Sequence, residues 1–450
     1  MNYVKLLWKL HQLKNNTRKT KVQMKLLQQE KLYQMLHYAY DHSAYYRNAF
    51  LQCGINKSLI DTTPITEFPV IDKQRLIDNF DALITVNDVT QDELRRFDES
   101  EHTSEVLKGK YHVVHSSGST GTPGYFIYDE EAWSAMLLAI LRGALWDMSM
   151  FEILRLLWKT PRIVYIAATD GRYGGAMAVG SGIKGVHAQQ LSLDIKQPMQ
   201  EWIEEIQKFQ PNMIIGYSSA IKILAELVEA GSVRVDVKRI ISCGEPMCNS
   251  LRQYLERVFH CDVVNFYGAS ESLALGVEIH ENEGMYLFDD MNYIEVENGK
   301  MYITSLYNFT QPLIRYELSD RLVWEEGEAR YPFTRIKNIT GRNEDLMWFK
   351  NDQGHKEFLH PLAIEGFCME GMLDYQFIQI DDALFELDIE VANKDCKARI
   401  QKNMGNSLKK ILKEKQLEYV KFVIKFVDEI LPNPNTGKKQ LIVKKEGVSI

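Results

Sequence analysis

The sequence lacks the features of a membrane-spanning, secreted or nucleic-acid-binding protein. No stretch of its 450 residues approaches the roughly 20 consecutive apolar residues of a membrane-spanning helix. The N-terminus has neither the apolar core nor the small-residue cleavage site of a secretory signal. The formal net charge is −8, so no global basic field would gather nucleic acid. These absences predict a cytoplasmic protein without a transmembrane segment or a nucleic-acid partner.

Cysteine is scarce, and its spacing forms no standard motif. The six cysteines lie at positions 53, 243, 248, 261, 368 and 396, and no C-x-x-C pair occurs. Cys243, Cys248, Cys261 and His260 lie close together in sequence, but their spacing matches no standard zinc finger. A buried strand thiol is the favoured interpretation of Cys243, which ends the apolar run RIISC. The pattern favours a reducing compartment.

The first 50 residues are predicted to be helical and begin with a basic amphipathic segment. Leucines at 6, 7, 10 and 13 alternate with lysines at 5, 9 and 14. Such a helix could contact a membrane interface, although packing on its own domain is the favoured interpretation. A second amphipathic segment runs from about residue 20 to residue 40, and residues 41–47 are expected to break it.

Helix-like and strand-like apolar runs alternate through the middle of the chain. A helix with a broad apolar face is predicted at 130–148. Strand-like runs follow at 162–168, 213–215, 239–243 and 262–266, with helix-like runs at 200–209, 218–229 and 249–259. This alternation indicates βαβ units on a parallel sheet.

The character of the sequence changes after Leu275. Short strand candidates at 277–279, 285–288, 294–296, 301–305 and 313–316 predict an antiparallel meander or small barrel. The last ~110 residues predict a compact α+β unit, with strands at 377–380, 384–391 and 419–427 and a lysine-rich helix at 395–415. The fold class is therefore α/β and α+β.

A loop rich in glycine and hydroxyl groups lies between two strand-like runs, 111–115 and 125–128. Residues 115–123 read HSSGSTGTP. Consecutive exposed backbone N–H groups form an anion-binding nest, and glycine permits the backbone to approach phosphate closely. The loop differs from a Walker A loop because no lysine follows its second glycine and the chain returns into a strand. A flexible polar hairpin tip is the alternative interpretation.

Five short motifs follow one another along the chain. They are SSGSTGTP at 116–123, SCGEP at 242–246, FYGASE at 266–271, RYELSD at 315–320 with GRNED at 341–345, and LPNPNTGK at 431–438. Each is weak alone, but their order and spacing resemble the adenylate-forming superfamily of acyl-CoA synthetases, nonribosomal adenylation domains and luciferases. The chain is most similar to the phenylacetate–CoA ligase branch, which includes capsule-biosynthesis and coenzyme-adenylylating members.

The resemblance implies a function and a domain organisation. An ATP- and Mg²⁺-dependent ligase of this kind activates a carboxylate as acyl-AMP with release of pyrophosphate, and then transfers the acyl group to CoA or another thiol or amine acceptor. A large N-terminal domain, 1–340, would bind ATP and the acid, and it would contain the βαβ sheets and the small barrel. A small mobile C-terminal domain, 341–450, would carry the catalytic lysine. Glu344 and Asp345 would form the hinge.

The resemblance also implies the roles of individual residues. The catalytic residues would be Lys438, Arg342 and Ser270, with Glu271 as the Mg²⁺ ligand. The ATP-binding residues would be Ser116, Ser117, Gly118, Ser119, Thr120, Gly121, Gly244, Glu245, Pro246, Tyr267, Gly268 and Asp320. Within this set, Tyr267 would stack on adenine and Asp320 would bind the ribose hydroxyls. The flanks of the loop, His115 and Gly124-Tyr125, receive no role.

The sequence departs from the pattern in three places. Ser319 stands where glycine usually precedes Asp320. The strand-like run 346–350 continues into a turn signal at 351–354 and lacks the glycine next to the strand that lies near the entry of the CoA arm in this branch, which puts the CoA half-reaction in doubt more than adenylation. The expected acyl pocket is unusually charged at Asp170, Arg172 and Tyr173. If Arg172 faces the pocket, the substrate would carry a further anionic group, whereas a solvated Arg172 on the rim is equally consistent.

Two other functions stay open. An adenylyltransferase would leave AMP on its product, and a degenerate relative would bind nucleotide without catalysis. The joint presence of Glu271, Asp320, Arg342 and Lys438 favours an active enzyme. The expected partners are a small-molecule carboxylate and an acceptor such as CoA, a carrier protein or an amine. The sequence specifies neither the acid nor the acceptor, and it leaves a dimer open.

Overall fold

A computed structural model gives the architecture of the chain. It describes residues 3–98, 106–115, 124–158, 160–167, 178, 188–194, 199–245, 247–280, 283–297, 300–318, 320–325, 327, 329–342, 347–350, 356–359, 371–414, 417–431 and 440–445.

The α-helices within these ranges are α1 Tyr3–Asn16, α2 Lys21–His42, α3 Ala44–Gln52, α4 Lys73–Asp78, α5 Phe80–Leu83, α6 Gln91–Asp98, α7 Glu130–Ala144, α8 Met150–Trp158, α9 Met199–Phe209, α10 Ser218–Glu229, α11 Asn249–Phe259 and α12 Lys397–Glu414.

The strands are β1 Tyr111–His115, β2 Tyr125–Asp129, β3 Arg162–Ala167, β4 Gln189–Asp194, β5 Met213–Gly216, β6 Arg239–Cys243, β7 Val263–Ala269, β8 Ser272–Glu278, β9 Met285–Leu287, β10 Asn292–Glu297, β11 Lys300–Ser305, β12 Tyr316–Leu318, β13 Asp320–Trp324, β14 Arg335–Arg342, β15 Met347–Lys350, β16 Lys356–Leu359, β17 Met372–Gln379, β18 Leu384–Val391, β19 Lys421–Val427 and β20 Ile442–Lys444.

A nine-stranded sheet organises the larger part of the chain, in the order β13-β14-β9-β8-β7-β6-β5-β3-β4. Strands β4, β3, β5, β6 and β7 run parallel, and α9, α10 and α11 connect successive members. Ile214, Ile240 and Val263 are fully buried, as expected when helices cover a parallel sheet. The predicted βαβ alternation is confirmed, and each predicted strand of this region starts within one residue of an observed one.

The antiparallel region after Leu275 divides between two sheets. Strands β8 and β9 extend the large sheet, whereas β10, β11 and β12 form a separate antiparallel sheet. Antiparallel structure is therefore confirmed here, in the form of a three-stranded sheet rather than a closed barrel.

Two predicted elements have different bounds in the structure. The strand predicted at 313–316 is observed at Tyr316–Leu318, because Arg315 has φ +48° and donates from its guanidinium to the carbonyls of Thr66 and Phe68 at 2.7 and 2.9 Å. The helix predicted to reach residue 148 ends at Ala144. Beyond it, the carbonyls of Leu145 and Trp146 accept from Lys14 Nζ at 2.8 and 3.0 Å.

The C-terminal part contains a four-stranded sheet in the order β19-β18-β17-β20. Its buried side chains form a hydrophobic cluster of their own, which includes Met347 and Phe349 from β15. An ion pair between the buried Glu390 of β18 and Lys222 of α10 joins this sheet to the large sheet's helices. Burial raises the pKa of Glu390, and the Lys222 ammonium opposes that shift. The strands and helix predicted for this unit are confirmed, while the domain boundary at residue 341 stays a prediction.

The N-terminal helices pack on the rest of the chain. The Thr20 side chain and Gln23 form a capping box at the start of α2. Ser43 ends α2 and caps α3, so the break predicted over 41–47 is confined to one residue. Leu10 of α1 is fully buried in the main hydrophobic core, which confirms the packed interpretation of this segment. None of the helices that the structure describes is long and apolar enough to cross a membrane.

Asp290 connects these helices to the core. Its carboxylate accepts from Arg142 Nη1 and Nη2 at 2.5 and 3.0 Å and from Asn16 Nδ2 at 2.7 Å, while its carbonyl accepts from Lys31 Nζ at 2.7 Å. Burial alone would raise the pKa of Asp290, but the Arg142 guanidinium and then Lys31 and Asn16 hold it below its ordinary value. Three helices therefore meet at one residue, α1 and α7 at its ionised carboxylate and α2 at its backbone carbonyl.

The neighbouring Asp289 predicts a pH dependence of stability. Burial raises the pKa of Asp289 to about 7, and its carboxylate accepts from the Thr334 N–H at 2.6 Å. The folded state keeps a proton that the unfolded chain loses near pH ~4, so stability is expected to fall as pH rises from about 4 to about 7. Asp289→Asn should abolish this loss and stabilise the protein at about pH 8 by on the order of 1–3 kcal/mol, with little effect at about pH 4.

Thermal unfolding of both proteins across that pH range measures the effect. Asp236→Asn is the matched control because its side chain is exposed and pairs only with the exposed Lys238 among the contacts described. An equal slope of melting temperature against pH in the Asp289→Asn variant and the unsubstituted protein would contradict the prediction.

Candidate active site

The β1–β2 hairpin leads into and out of residues 116–124. His115 and Tyr125 are its last cross-strand pair before that loop. Ser270 Oγ donates to the His115 carbonyl at 3.2 Å, and Tyr128 OH donates to the carbonyls of Ser270 and Glu271 at 3.3 and 3.2 Å. Both strands of the hairpin therefore contact the Ser270-Glu271 turn, which brings the residues that flank the first motif to the third motif.

The Ser270-Glu271 turn connects β7 to β8, where the chain passes from parallel to antiparallel pairing. The register shifts between Tyr267 and Ala269. A Cβ at Gly268 would lie 2.4 Å from the Leu273 carbonyl oxygen, so the two strands approach too closely there for any side chain. The glycine of the FYGASE motif is explained by this contact.

Tyr267 and Asp320 join the third and fourth motifs. Tyr267 OH donates to Asp320 Oδ2 at 2.7 Å, and the tyrosine side chain is buried beside Met301 Sδ at 3.6 Å. Asp320 begins β13 and pairs in register with Arg342 at the end of β14. Tyr267, Asp320 and Arg342 thus lie on strands of one sheet, and Ser270 lies in the turn that follows the strand of Tyr267, while the roles assigned to these residues stay predictions.

The second motif lies at the start of α10. The Glu245 carboxylate accepts from Ser218 Oγ at 3.1 Å, Ser219 N at 2.9 Å and Ser219 Oγ at 3.0 Å. A carboxylate at this end of a helix is stabilised by the exposed N–H groups. The Glu245 side chain therefore binds the helix N-terminus. Gly244 has φ +78°, and a Cβ there would lie 2.9 Å from the Tyr217 ring, so glycine is required.

Buried tyrosines surround the Ser270-Glu271 turn. Burial, and then the Glu271 carboxylate to which its phenol hydrogen-bonds, raise the pKa of Tyr316. Burial is also the main cause of the raised pKa of Tyr128, followed by Tyr307 and Glu271. Both phenols therefore stay protonated and act as hydrogen-bond donors.

Glu271 has the chemistry of a magnesium ligand. Mg²⁺ in nucleotide sites is bound by one or two carboxylates together with phosphate oxygens and waters. Within the part of the chain that the structure describes, no group of three or more His, Cys, Asp and Glu side chains could hold a metal ion by itself. A single carboxylate such as that of Glu271 fits Mg²⁺ that arrives with a nucleotide.

The surroundings of Cys243 and Cys261 differ from those that a buried strand thiol or a zinc ligand would have. Cys243 is only partly buried at the end of β6, where a buried thiol was expected. Burial raises the pKa of the Cys261 thiol to about 12. A zinc ligand must be a thiolate, which this environment disfavours.

Several predicted residues lie outside the described ranges, and their roles stay predictions. They are Ser116, Ser117, Gly118, Ser119, Thr120 and Gly121 of the loop, Pro246, the pocket residues Asp170, Arg172 and Tyr173, the hinge residues Glu344 and Asp345, and Lys438.

The site also contains residues that the sequence did not indicate. Tyr128 and Tyr316 contact the Ser270-Glu271 turn, and Asp98 contacts both His115 and Tyr125. His115 and Tyr125 flank the glycine-rich loop in the sequence, so their place beside the site could have been predicted. Asp98 ends a separate helix 17 positions before His115, and no motif marks it.

The chain has similar curated proteins and solved structures. The chain is 25% identical over 339 residues to the phenylacetate-coenzyme A ligase of Pseudomonas putida, covering 71% of each chain. It is 24% identical over 257 residues to Protein CapK of Staphylococcus aureus, covering 54% of this chain and 55% of that one. No family model matches it. A crystal structure of 2-hydroxyisobutyryl-CoA ligase in the postadenylation state, bound to R3-HIB-AMP, has a TM-score of 0.66 at 18% identity, covering 96% of this chain and 91% of that one.

The resemblance that the five motifs predicted is confirmed at the level of similarity, because the curated relatives include phenylacetate-coenzyme A ligases and Protein CapK. The similarity to 2-hydroxyisobutyryl-CoA ligase shows the same fold. The fold and the relatives both support an adenylate-forming ligase as the general class.

Proposed function

We propose that this protein is an ATP- and Mg²⁺-dependent ligase that joins a carboxylate to AMP, releases pyrophosphate, and passes the acyl group to CoA or another thiol or amine. The observation that carries the proposal is the grip of the β1–β2 hairpin on the Ser270-Glu271 turn. This contact supports the proposal because it holds a hydroxyl and a carboxylate beside the strands that flank the predicted anion-binding loop, and transfer of an adenylyl group requires such groups close together.

In this proposal, different residues bind different parts of ATP. Tyr267 and Asp320 bind the adenosine end, with the carboxylate accepting from ribose hydroxyls. Ser270 donates to the α-phosphate, and the loop at 116–123 binds the β- and γ-phosphates. Glu271 would hold Mg²⁺, which neutralises phosphate charge when bound. Attack by the substrate carboxylate on the α-phosphorus then breaks the bond to pyrophosphate and forms acyl-AMP.

The C-terminal unit completes the proposal. Residues 341–450 would form a domain that turns about Glu344 and Asp345 and brings Lys438 to the α-phosphate. CoA is proposed as the acceptor of the acyl group from the relatives, several of which are named as CoA ligases. Strand β15, Met347–Lys350, pairs with β16 directly after the proposed hinge, where the CoA arm would pass. Asp170, Arg172 and Tyr173 are proposed to line the acid pocket.

Exchange of radiolabelled pyrophosphate into ATP tests the proposal. Exchange should appear only with particular carboxylates in a panel that includes aromatic acids and acids with a second anionic group. Mass spectrometry should detect free AMP once an acceptor is added. AMP retained on the final product would instead establish an adenylyltransferase, and ATP binding without exchange for any acid would contradict the ligase.

The proposed role of Asp320 predicts that the protein discriminates ATP from its deoxyribose analogues. If its carboxylate binds the ribose hydroxyls, the unsubstituted protein should use ATP at least about tenfold more efficiently than 2′-deoxy-ATP or 3′-deoxy-ATP, because a lost hydrogen bond to a charged group costs about 1.5–3 kcal/mol. Asp320→Ala should lower kcat/KM for ATP and largely abolish the discrimination. Asp236→Ala, at an exposed position, should preserve it. An undiminished preference in Asp320→Ala would remove Asp320 from the ribose site.

A further inference from the structure

Two buried tyrosines hold Glu271, one at its carboxylate and the other at its backbone. The Tyr316 phenol hydrogen-bonds to the Glu271 carboxylate, and the Tyr316 residue is only 2% exposed. Tyr128 OH donates to the carbonyls of Ser270 and Glu271 at 3.3 and 3.2 Å, and Tyr128 is buried as well. Separate hydroxyl groups therefore fix the position of the Glu271 peptide and the direction of its side chain.

Tyr316 is itself held through its backbone and its ring. Its backbone pairs with Ile303 of β11 on one side and forms a parallel bridge with Ile71 on the other. Its ring meets the Phe126 ring of β2 edge to face, with 6.2 Å between the centroids. A side chain locked by packing in this way presents its polar group in a fixed direction. The Tyr316 hydroxyl therefore reaches Glu271 from a preset position.

The hydroxyl of Tyr128 belongs to a separate buried network. The Tyr307 phenol hydrogen-bonds to Tyr128, and the Tyr307 oxygen lies 3.1 Å from Ser272 Oγ. Ser272 Oγ in turn donates to Asn292 Oδ1 at 3.0 Å. All four side chains of this network are buried. The network therefore supports the backbone of the turn through side chains other than Tyr316.

The hydrogen bond from Tyr316 leaves the Glu271 carboxylate able to bind a cation. An ionised carboxylate has about four lone-pair sites, and one phenol donor occupies one of them. Carboxylates that bind metal ions accept hydrogen bonds from surrounding groups, which orient their oxygens. Loss of such a group typically lowers metal affinity or activity by about 10–100-fold. Tyr316 is a donor of this kind for Glu271.

We propose that Tyr316 is a positioning residue that orients the Glu271 carboxylate toward the Mg²⁺ of MgATP. The inference rests on the proposed function, in which Glu271 binds that ion. Mg²⁺ demands near-ideal octahedral geometry, so a carboxylate already held in one direction binds it at a smaller entropic cost than a freely rotating carboxylate. The Tyr316 hydroxyl therefore acts on the metal-dependent part of ATP binding and leaves the binding of metal-free nucleotide unchanged.

Calorimetric titration of the full-length protein with ATP, in Mg²⁺ and in EDTA, tests the inference without requiring turnover. Mg²⁺ should lower the Kd of the unsubstituted protein for ATP, and the ratio of the two Kd values measures the contribution of the metal. Tyr316→Phe should reduce this ratio by roughly tenfold, the lower end of the range for losing a group that orients a metal ligand. The Kd for ATP in EDTA and the Kd for AMP should each change by less than about twofold.

A double-mutant cycle shows whether Tyr316 acts through Glu271. Glu271→Gln should abolish the effect of Mg²⁺ on the Kd for ATP, because Mg²⁺ in nucleotide sites is bound by carboxylates. In that background, Tyr316→Phe should not change the ratio of Kd values any further. An equal effect of Tyr316→Phe in both backgrounds would overturn the inference, because the phenol would then act independently of Glu271.

Tyr254→Phe is the matched control. Tyr254 is buried, and its hydroxyl donates to Glu229 Oε2 at 3.1 Å between α11 and α10, so the substitution also removes a phenol that donates to a carboxylate. It should leave the ratio of Kd values unchanged. Tyr316→Phe keeps the ring and its contact with Phe126, and melting temperatures report any loss of stability separately from the ratio.

Glu271→Asp supplies the test from the other partner if Tyr316→Phe does not fold. The shorter side chain keeps the charge but withdraws the carboxylate from the Tyr316 hydroxyl. This variant should also reduce the effect of Mg²⁺ on the Kd for ATP. An undiminished effect in Glu271→Asp would contradict the inference, because the direction of the carboxylate would then have no influence on metal binding.

The outcomes distinguish this inference from the proposed function. A Mg²⁺-dependent Kd for ATP that Tyr316→Phe leaves unchanged would overturn the positioning role alone. Equal weakening of ATP binding with and without Mg²⁺ would also overturn it, because Tyr316 would then act on the whole site. A protein that binds ATP equally well in Mg²⁺ and in EDTA would overturn both the metal-binding role of Glu271 and this inference. A protein that binds no ATP would overturn the proposed function, and the inference with it.

Discussion

Lys438→Ala is expected to reduce ATP–pyrophosphate exchange by at least about a hundredfold, the scale for removing one group that stabilises transition-state charge. In the proposed mechanism the Lys438 ammonium lies between the α-phosphate and the attacking carboxylate. Negative charge grows there as the bond to pyrophosphate breaks. ATP binding should change much less than exchange, because the ammonium reaches this position only when the C-terminal domain closes. Initial rates of exchange and calorimetric Kd values for ATP measure the two effects.

Lys439→Ala is the matched control, because Lys439 is adjacent in sequence and has the same charge. It should retain most of the exchange activity. Equal loss in both variants would indicate that the basic run acts through general electrostatics. Full activity in Lys438→Ala would exclude it from the catalytic residues and would leave the LPNPNTGK motif without a catalytic function.

Asp290→Ala is expected to lower the free energy of unfolding by about 3–5 kcal/mol, because it leaves the Arg142 guanidinium buried without its carboxylate. Both side chains are 0% exposed, and Arg142 lies over the Phe288 ring at 4.4 Å. The substitution also removes the acceptor of Asn16. Thermal and urea unfolding measure the loss, and protease resistance of α1 and α2 should decrease in parallel.

The paired substitution Arg142→Met with Asp290→Leu provides the sharper comparison. Replacing both charges by apolar groups removes the unpaired buried charge, so the double variant should be more stable than Asp290→Ala alone. Lys57→Ala, which breaks the exposed pair with Asp41, should have little effect. A double variant less stable than Asp290→Ala would show that the hydrogen bonds of Asp290 to the N-terminal helices dominate over the burial of charge.

The regularity of the parallel sheet explains why so much of it could be predicted. The helices at 218–229 and 249–259 have the predicted bounds, because their apolar periodicity begins and ends with the element. Strand partners leave no comparable local signal. The extension of the parallel sheet by β8 and β9 depends on long-range pairing, as does the separation of β10–β12. The displaced strand near Arg315 likewise depends on carbonyl groups some 250 positions away.

In the candidate site, too, some features could be predicted from the sequence and others could not. The order of the five motifs predicted the resemblance to the adenylate-forming superfamily, and Tyr267 does contact Asp320 while Ser270 lies in the turn after the strand of Tyr267. The side chain of Glu245 lies at the N-terminus of α10, which the motif alone did not indicate. Asp98 and Tyr128 belong to no motif, and the RYELSD motif assigned no role to Tyr316, since their contacts with the hairpin and the Ser270-Glu271 turn exist only after α6, the hairpin and the β7–β8 turn have come together.

The sequence by itself determined the alternation of strands and helices and the resemblance to the adenylate-forming superfamily, because periodicity and motif order are properties of the sequence alone. Only the tertiary structure decided which side chains contact the β1–β2 hairpin and what the basic N-terminal helices contact. Lys14 and Lys31 are bound by backbone carbonyls of the core, and Asp98 reaches both stems of the hairpin. These contacts join residues that are distant in sequence. Because the contacts are shielded from water, each contributes more to stability than it would on the surface.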